Sequence, residues 1–141
     1  MFANNEIGTI QPIDEIAKIA KARRILFHTD AVQAYGQIPI SVQQTPLDML
    51  STSSHKLYGP KGVGCLYIRE GTPLKSYIDG GGQERGKRAG TENVPGIVGF
   101  GKASELARIE MPYRIARETR LRDELIKNVL REIPYTRLNG G

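Results

Sequence analysis

Lys56 closes the run Ser53-Ser54-His55-Lys56, which follows the apolar stretch Leu47-Asp48-Met49-Leu50-Ser51-Thr52. An amine, an imidazole and two hydroxyls therefore stand together where an apolar run ends. A lysine amine condenses with an aldehyde to a Schiff base, and desolvation or a neighbouring cation lowers its pKa for that task. Asp30 ends a second run, Ile25-Leu26-Phe27-His28-Thr29, with Gln33 just beyond it. Asn5 follows a third and shorter one, Met1-Phe2-Ala3. If these runs are parallel strands, their carboxyl ends converge on one crevice, where α/β sheets bind ligands. The set suits a pyridine-aldehyde cofactor. A carboxylate keeps a ring nitrogen protonated, so that the ring draws electrons. The lysine holds the aldehyde, and the imidazole stacks on the ring or moves protons. Hydroxyls and backbone amides hold a phosphate.

The elements that would position these groups are legible from periodicity. Residues 12–24 form a predicted amphipathic helix with Ile13, Ile16, Ala17 and Ala20 at helical spacing. Pro12 suits its first turn, and Asp14, Glu15, Lys21, Arg23 and Arg24 match the helix dipole. Short strands are expected at 25–29, 48–52 and 62–69, with a brief extended piece at 38–40. Gly80 to Gly90 is a glycine- and arginine-rich loop. Thr91 or Asn93 can cap a helix that carries Ile97, Val98, Phe100, Leu106 and Ala107. A second, charged helix is expected from about Pro112 to Arg131, with Ile115, Leu121, Leu125, Ile126 and Val129 as its stripe. Alternating strands and helices predict an α/β layered fold with a small parallel sheet. Such sheets need cover on both faces. Met1-Phe2-Ala3 reads as the end of a strand, and Asn139-Gly140-Gly141 as a turn leading onward. The chain is therefore expected to be part of a larger fold.

The 141 residues, 39% hydrophobic and 25% charged, suit one globular domain. No apolar stretch is long enough to span a membrane, and no signal peptide is expected, since the chain turns polar at once after Met1-Phe2-Ala3. One cysteine excludes an internal disulfide framework and fits a reducing, cytoplasmic setting. The net charge of +5 is modest. Aromatic residues are few and not interleaved with basic ones, which argues against a nucleic-acid surface.

Four segments stand in order: Asn4-Asn5-Glu6-Ile7-Gly8, His28-Thr29-Asp30-Ala31-Val32-Gln33, Ser53-Ser54-His55-Lys56-Leu57-Tyr58-Gly59-Pro60-Lys61-Gly62, and Gly80-Gly81-Gly82-Gln83-Glu84-Arg85-Gly86-Lys87-Arg88-Ala89-Gly90-Thr91. Together the chain resembles the pyridoxal-phosphate-dependent cysteine desulfurases of the class-V aminotransferase family, the kind that serves nitrogenase and iron–sulfur cluster assembly. The resemblance runs from Asn4 to Ala107 and more loosely to the end. It implies part of the large domain of a fold-type I transferase, a mostly parallel sheet flanked by helices and ending in long connecting helices. Residues 1–107 would be the second half of the cofactor-binding domain, and 108–141 the connection toward a small domain. By position, Lys56 resembles the lysine that binds the cofactor aldehyde and shuttles protons, and His55 its neighbour in the pocket. Asp30 is similar to the partner of the pyridine nitrogen, and Asn5 and Gln33 to the groups around the ring's phenolic oxygen. Ser53 resembles a phosphate ligand. Thr91 is similar to the threonine that reaches the neighbouring subunit's phosphate, which implies a homodimer. The implied reaction takes sulfur from L-cysteine, leaving L-alanine and an enzyme persulfide that passes to an acceptor scaffold protein. The family's nucleophilic cysteine, its substrate-carboxylate arginine and the residue that stacks on the ring have no counterpart here. The chain by itself is expected not to turn over cysteine. A selenocysteine lyase, an aminotransferase of the same fold, and a non-catalytic fragment that only folds or binds a partner are the alternatives.

Other groups carry plainer expectations. Cys65 sits mid-strand in apolar company and is expected to be a buried, inert thiol. His28 is expected to be packed beside Phe27. Gly81 to Lys87 nearly spells a nucleotide phosphate loop, but Arg88 stands where Ser or Thr must hold magnesium, so that function is rejected. Arg85 and Arg88 better suit an anionic cofactor or a second subunit. Arg114–Glu118 and Glu118–Arg122 have helical pair spacing on a solvated face. No metal site is expected.

Overall fold

The computed structural model describes residues 1–140. Helix α1 (Ile13–Ala22) lies within the expected span, with Asp14 and Glu15 in its first turn and Lys21 in its last. Its Ile13 and Ala17 are buried. Asp14 also accepts a hydrogen bond from the Thr45 hydroxyl, which ties the helix to the loop before the central strand.

Strands β1 (His28–Asp30), β2 (Met49–Ser53) and β3 (Gly64–Ile68) form one sheet in that order. β1 and β2 are parallel, with Thr29 opposite Leu50 and Asp30 opposite Ser51. β3 runs antiparallel to β2, so the described sheet is mixed rather than wholly parallel. The reason is the connection. A parallel return needs a crossover of about a dozen or more residues, usually a helix. Between Ser53 and Gly64 the chain makes only one short turn. Two other expected extended pieces are not strands. Tyr35 and Ile38 form an isolated bridge, and Ala3 bridges Ile10. Phe2 still donates to the Asp30 carbonyl at 2.6 Å, so the N-terminal segment lies against the carboxyl end of β1.

One face of the sheet is covered. Thr29, Leu50 and Thr52 point into it, as the alternation of strand side chains requires. The core there joins Ala3, Ile13, Ala17, Ala31, Ala34, Leu47 and Leu50. Its many alanines let α1 and the loop after β1 approach the sheet closely. Each fully buried leucine contributes roughly 1.5–3 kcal/mol. Arg69, following β3, donates to the carbonyls of Leu47, Val42 and Thr45 at 2.5, 2.6 and 3.0 Å, which satisfies the loop that enters β2.

A short turn of helix α2 (Gln83–Gly86) lies in the glycine-rich loop. Helix α3 (Val94–Glu132) then runs 39 residues without a break. Two helices separated at Pro112 were expected. Proline removes one backbone donor and crowds the preceding turn, yet the flanking residues are mostly strong helix formers and carry the helix through. Asn93 caps it, accepting from the Gly96 amide at 3.2 Å. The buried residues of α3 are Gly96, Phe100, Ala103 and Ala107. Phe100, Ala103 and Ala107 make a second small core with Leu57. Past Ala107 the helix is mostly exposed, Ile115, Leu121 and Leu125 included. The expected i,i+4 ion pairs do not form. Arg122 pairs with Asp123 at 2.6 Å, and Arg114 turns toward the sheet edge. Among the described residues no helix is long and apolar enough to cross a membrane.

Candidate functional site

β1 and β2 are parallel neighbours, so Asp30 and the turn after Ser53 leave the sheet at the same edge. That turn, Ser54–Leu57, is a single 3₁₀ turn. In such a turn residues three apart share a side, and the sequence uses this. Ser54 and Leu57 are buried, while His55 and Lys56 face out. Both ends of the turn are tied. The Ser54 amide donates to the Val63 carbonyl, and the Gly59 amide to the Ser54 carbonyl, each at 3.1 Å. Ser54 packs so closely on Gly59 that a Cβ at residue 59 would collide with its hydroxyl, which has no hydrogen-bond partner.

The Ser53 hydroxyl meets His55 Nδ1 at 2.6 Å. This fixes the imidazole and leaves its other nitrogen for a ligand. Asp30 accepts from the Val32 amide through Oδ1 at 2.8 Å, which orients the carboxylate at the strand end. Gln33 is half-buried in the following turn. Asn5 is exposed in a loop closed by Asn4, whose Oδ1 accepts from the amides of Glu6 and Ile7 at 2.9 and 3.1 Å. Thr91 is exposed between the glycine-rich loop and α3. The structure thus brings Asp30, Ser53, His55 and Lys56 to one edge, with the Asn5 segment joined through Phe2. Thr91 is linked to that edge only through the start of α3. The glycine-rich loop is clasped on itself, the Gly90 amide donating to Gln83 Oε1 at 3.1 Å and Arg88 to the Gly90 carbonyl at 3.0 Å. Glu84 and Arg85 take positive φ there and no long helix begins at Lys87, unlike a nucleotide phosphate loop.

Two expectations are corrected. His28 is exposed rather than packed, and its Nε2 lies 3.2 Å from the Ser51 hydroxyl. Strand alternation turns it to the open face of the sheet. Cys65 is exposed as well, together with its β3 neighbours Gly64 and Leu66. Its surroundings nevertheless favour the thiol over the thiolate. Partial burial, and secondarily the nearby Glu84 carboxylate, push it above its ordinary value of 9.0. The thiolate fraction at a given pH is then lower than that of a free cysteine. Glu84→Gln removes the repelling charge and is expected to speed alkylation of Cys65 by iodoacetamide at pH 8 by about twofold. An unchanged or slower rate would remove Glu84 as a cause.

An apolar groove of ≈ 420 Å³ lies between α3 and the loop at Tyr35 to Ile40, and its lining does not include Lys56. Among the described residues no cluster of His, Cys, Asp and Glu could hold a metal ion. Three residues to which the sequence assigned no role in the site lie beside the Lys56 turn: Gly36, Tyr58 and Arg114. Nothing in the sequence pattern marks Arg114, whose spacing pointed to Glu118 instead.

A strand-end lysine turn thus stands beside a strand-end aspartate in an α/β layer, at the kind of edge where such folds bind ligands. The chain belongs to the class-V aminotransferase family, whose profile matches residues 1–141. Within it, the chain is similar to the cysteine desulfurases. It is 59% identical over 140 residues to cysteine desulfurase IscS of Dictyoglomus turgidum, covering 99% of this chain and 36% of that protein. The IscS of Methanosarcina thermophila is likewise 59% identical, with 34% of its length covered. Among solved structures, a NifS-like protein superposes with a TM-score of 0.89 at 47% identity, covering 93% of this chain and 36% of that one. DndA of Streptomyces lividans gives 0.90 at 38% identity, covering 99% and 40%. The chain spans about a third of the length of the curated relatives it matches.

Proposed function

We propose that the chain is the cofactor-anchoring part of a pyridoxal-phosphate-dependent cysteine desulfurase, which passes sulfur from L-cysteine toward iron–sulfur cluster assembly and leaves L-alanine. The observation that carries this proposal is the edge shared by Asp30 and the Ser53–Lys56 turn, with Lys56 exposed and the Ser53–His55 contact already made. The donor set fits the cofactor: one amine, one carboxylate, one imidazole, and a hydroxyl beside exposed backbone. Pyridoxal phosphate, when bound, supplies an electron sink for charge that develops at the substrate Cα.

The residues of this chain do the rest. Lys56 Nζ anchors the aldehyde and moves a proton to and from the substrate carbon. Asp30, oriented by the Val32 amide, holds a proton on the ring nitrogen. Ser53 holds the phosphate, and His55, fixed by Ser53, shapes the pocket beside Lys56. Asn5 and Gln33 hydrogen-bond the ring's phenolic side. Thr91, exposed ahead of α3, reaches a neighbouring subunit's phosphate, which makes the working unit a homodimer. The sulfur-accepting thiolate comes from outside this chain: its single cysteine, Cys65, lies within β3 rather than at the strand ends that carry Asp30 and Lys56, and its thiol is pushed up. Residues 1–107 belong to the cofactor domain and 108–141 to its helical connection. The sulfur acceptor is a scaffold protein, and the setting is the cytoplasm.

The test is chemical capture. The chain is mixed with pyridoxal phosphate, reduced with borohydride and digested, and the modified peptide is located by mass spectrometry. Modification concentrated on Lys56 supports the proposal. Modification spread evenly over the surface lysines, with none enriched at Lys56, refutes it.

A further inference from the structure

We propose that Arg114, four turns beyond the packed start of α3, is a positioning residue that holds the Lys56 turn in register with the loop behind Asp30. The proposal rests on the reading of Lys56 as the cofactor anchor. The Arg114 guanidinium makes two contacts. One nitrogen donates to the Gly36 carbonyl. Its Cζ lies 5.8 Å from the centroid of the Tyr58 ring, within the reach of about 6 Å for a cation over an aromatic face. Gly36 belongs to the loop that opens with Asp30 and Gln33, and Tyr58 follows Lys56 by two positions. One side chain therefore bridges the two segments that carry the site.

Tyr58 needs such a contact. It adopts φ 63, a left-handed conformation uncommon for a bulky residue, and its side chain is 83% exposed. Core burial does not hold it there. Strained backbone of this kind persists only where surrounding contacts over-determine it; the Tyr58 amide donates to the Ser54 carbonyl, and Arg114 holds the ring. The junction beneath is crowded. Gly36 is buried at φ 77, and a Cβ there would collide with Leu57 and stand 3.2 Å from the Ala107 Cβ. Tyr35 meets Phe100 edge-on, with centroids 6.4 Å apart at 82°. Phe100, Ala103, Ala107 and Arg114 follow one helical face, so α3 braces both segments along its length and ends the contact with a polar clasp. The buried Arg114 Nε has no partner. Such a donor carries a penalty, so the guanidinium is kept in place by its other nitrogen and its face. A Schiff-base lysine in turn needs its backbone held to within fractions of an ångström by supporting side chains.

Amide hydrogen exchange on the full chain without cofactor tests the brace. The reporter is the Gly59 amide, which donates across the turn to Ser54. Arg114→Met is expected to speed its exchange about tenfold, while α1 amides stay within about twofold. Tyr58→Ala gives the same local loosening, and Tyr58→Phe, which keeps the ring, restores protection. The double variant Arg114→Met with Tyr58→Ala loosens the turn no further than Arg114→Met alone, because that substitution already removes the contact with the Tyr58 ring. Unchanged exchange at Gly59, or equal acceleration in α1, overturns the proposal. A second arm compares borohydride capture of pyridoxal phosphate at Lys56. Arg114→Met is expected to require about fivefold more cofactor for half capture, and equal capture overturns the positioning role. If the parent chain captures none at Lys56, the cofactor assignment fails, and the exchange arm alone still decides whether the brace exists.

Discussion

Lys56→Ala is expected to abolish borohydride-trapped pyridoxal phosphate on the turn after β2, leaving only scattered labelling of surface lysines. The reason is chemical. Only an uncharged amine can condense with the aldehyde, and Lys56 is the amine at the sheet edge that Asp30 shares. Lys56→Arg should fail equally, since a guanidinium does not lose its proton in proteins. That variant keeps the charge, so its failure separates amine chemistry from simple attraction of a phosphate. The turn itself should survive both changes, because Lys56 is exposed and the buried anchors are Ser54 and Leu57. Circular dichroism and the melting temperature should therefore match the parent. Asp30→Ala gives a graded loss instead. Removing a charge-assisted hydrogen bond worth about 1.5–3 kcal/mol weakens cofactor binding by roughly ten- to a hundredfold. Full capture in Lys56→Ala would mean that the anchor is another lysine.

Gly36→Ala carries the second large effect, on stability. At φ 77 an L side chain costs about 1–2 kcal/mol. The added methyl also drives into Leu57 and crowds Ala107, and overpacking of this kind costs about 1–3 kcal/mol. Together the loss is about 2–5 kcal/mol, a large part of a domain stability of about 5–15 kcal/mol. Gly8 provides the comparison. It has φ 73 and nothing near its missing Cβ, so Gly8→Ala should show the conformational cost alone, about 1–2 kcal/mol. Urea unfolding of the two variants isolates the crowding by difference. Equal losses would show that the junction beneath the Lys56 turn is not tight. Because that junction also supports the Arg114 contact, Gly36→Ala should loosen the Gly59 amide as well.

Much of the site was legible before any coordinates. Asp30 and Lys56 each follow a short apolar run rich in β-branched or bulky residues, the local pattern of a buried strand. The amphipathic period of residues 13–22 and the Asn93 cap were equally local, since both depend only on neighbours a few positions apart. What failed was non-local. The direction of β3 depends on how much chain joins it to β2, not on its own residues. Pro112 marks a break by its own chemistry, and its neighbours' helix preference outweighs it. Exposure of Cys65 and His28 depends on what lies across the sheet, which a strand's composition does not report. Arg114 was paired with Glu118 by spacing, yet a long flexible side chain takes the partners that tertiary packing offers.

The sequence by itself determined the chemistry available here: one amine, one imidazole, one carboxylate and a hydroxyl, each at the end of an apolar run, in an order characteristic of a class-V aminotransferase. Those are properties of residue type and short-range pattern. Only the tertiary structure decided that β1 and β2 deliver them to the same edge, that Ser54 and Leu57 point inward so that His55 and Lys56 point out, and that Gly36, Tyr58 and Arg114 close around the turn. Those outcomes require segments far apart in the chain to meet. Contacts of that kind are set by packing and strand register, which no window of sequence contains.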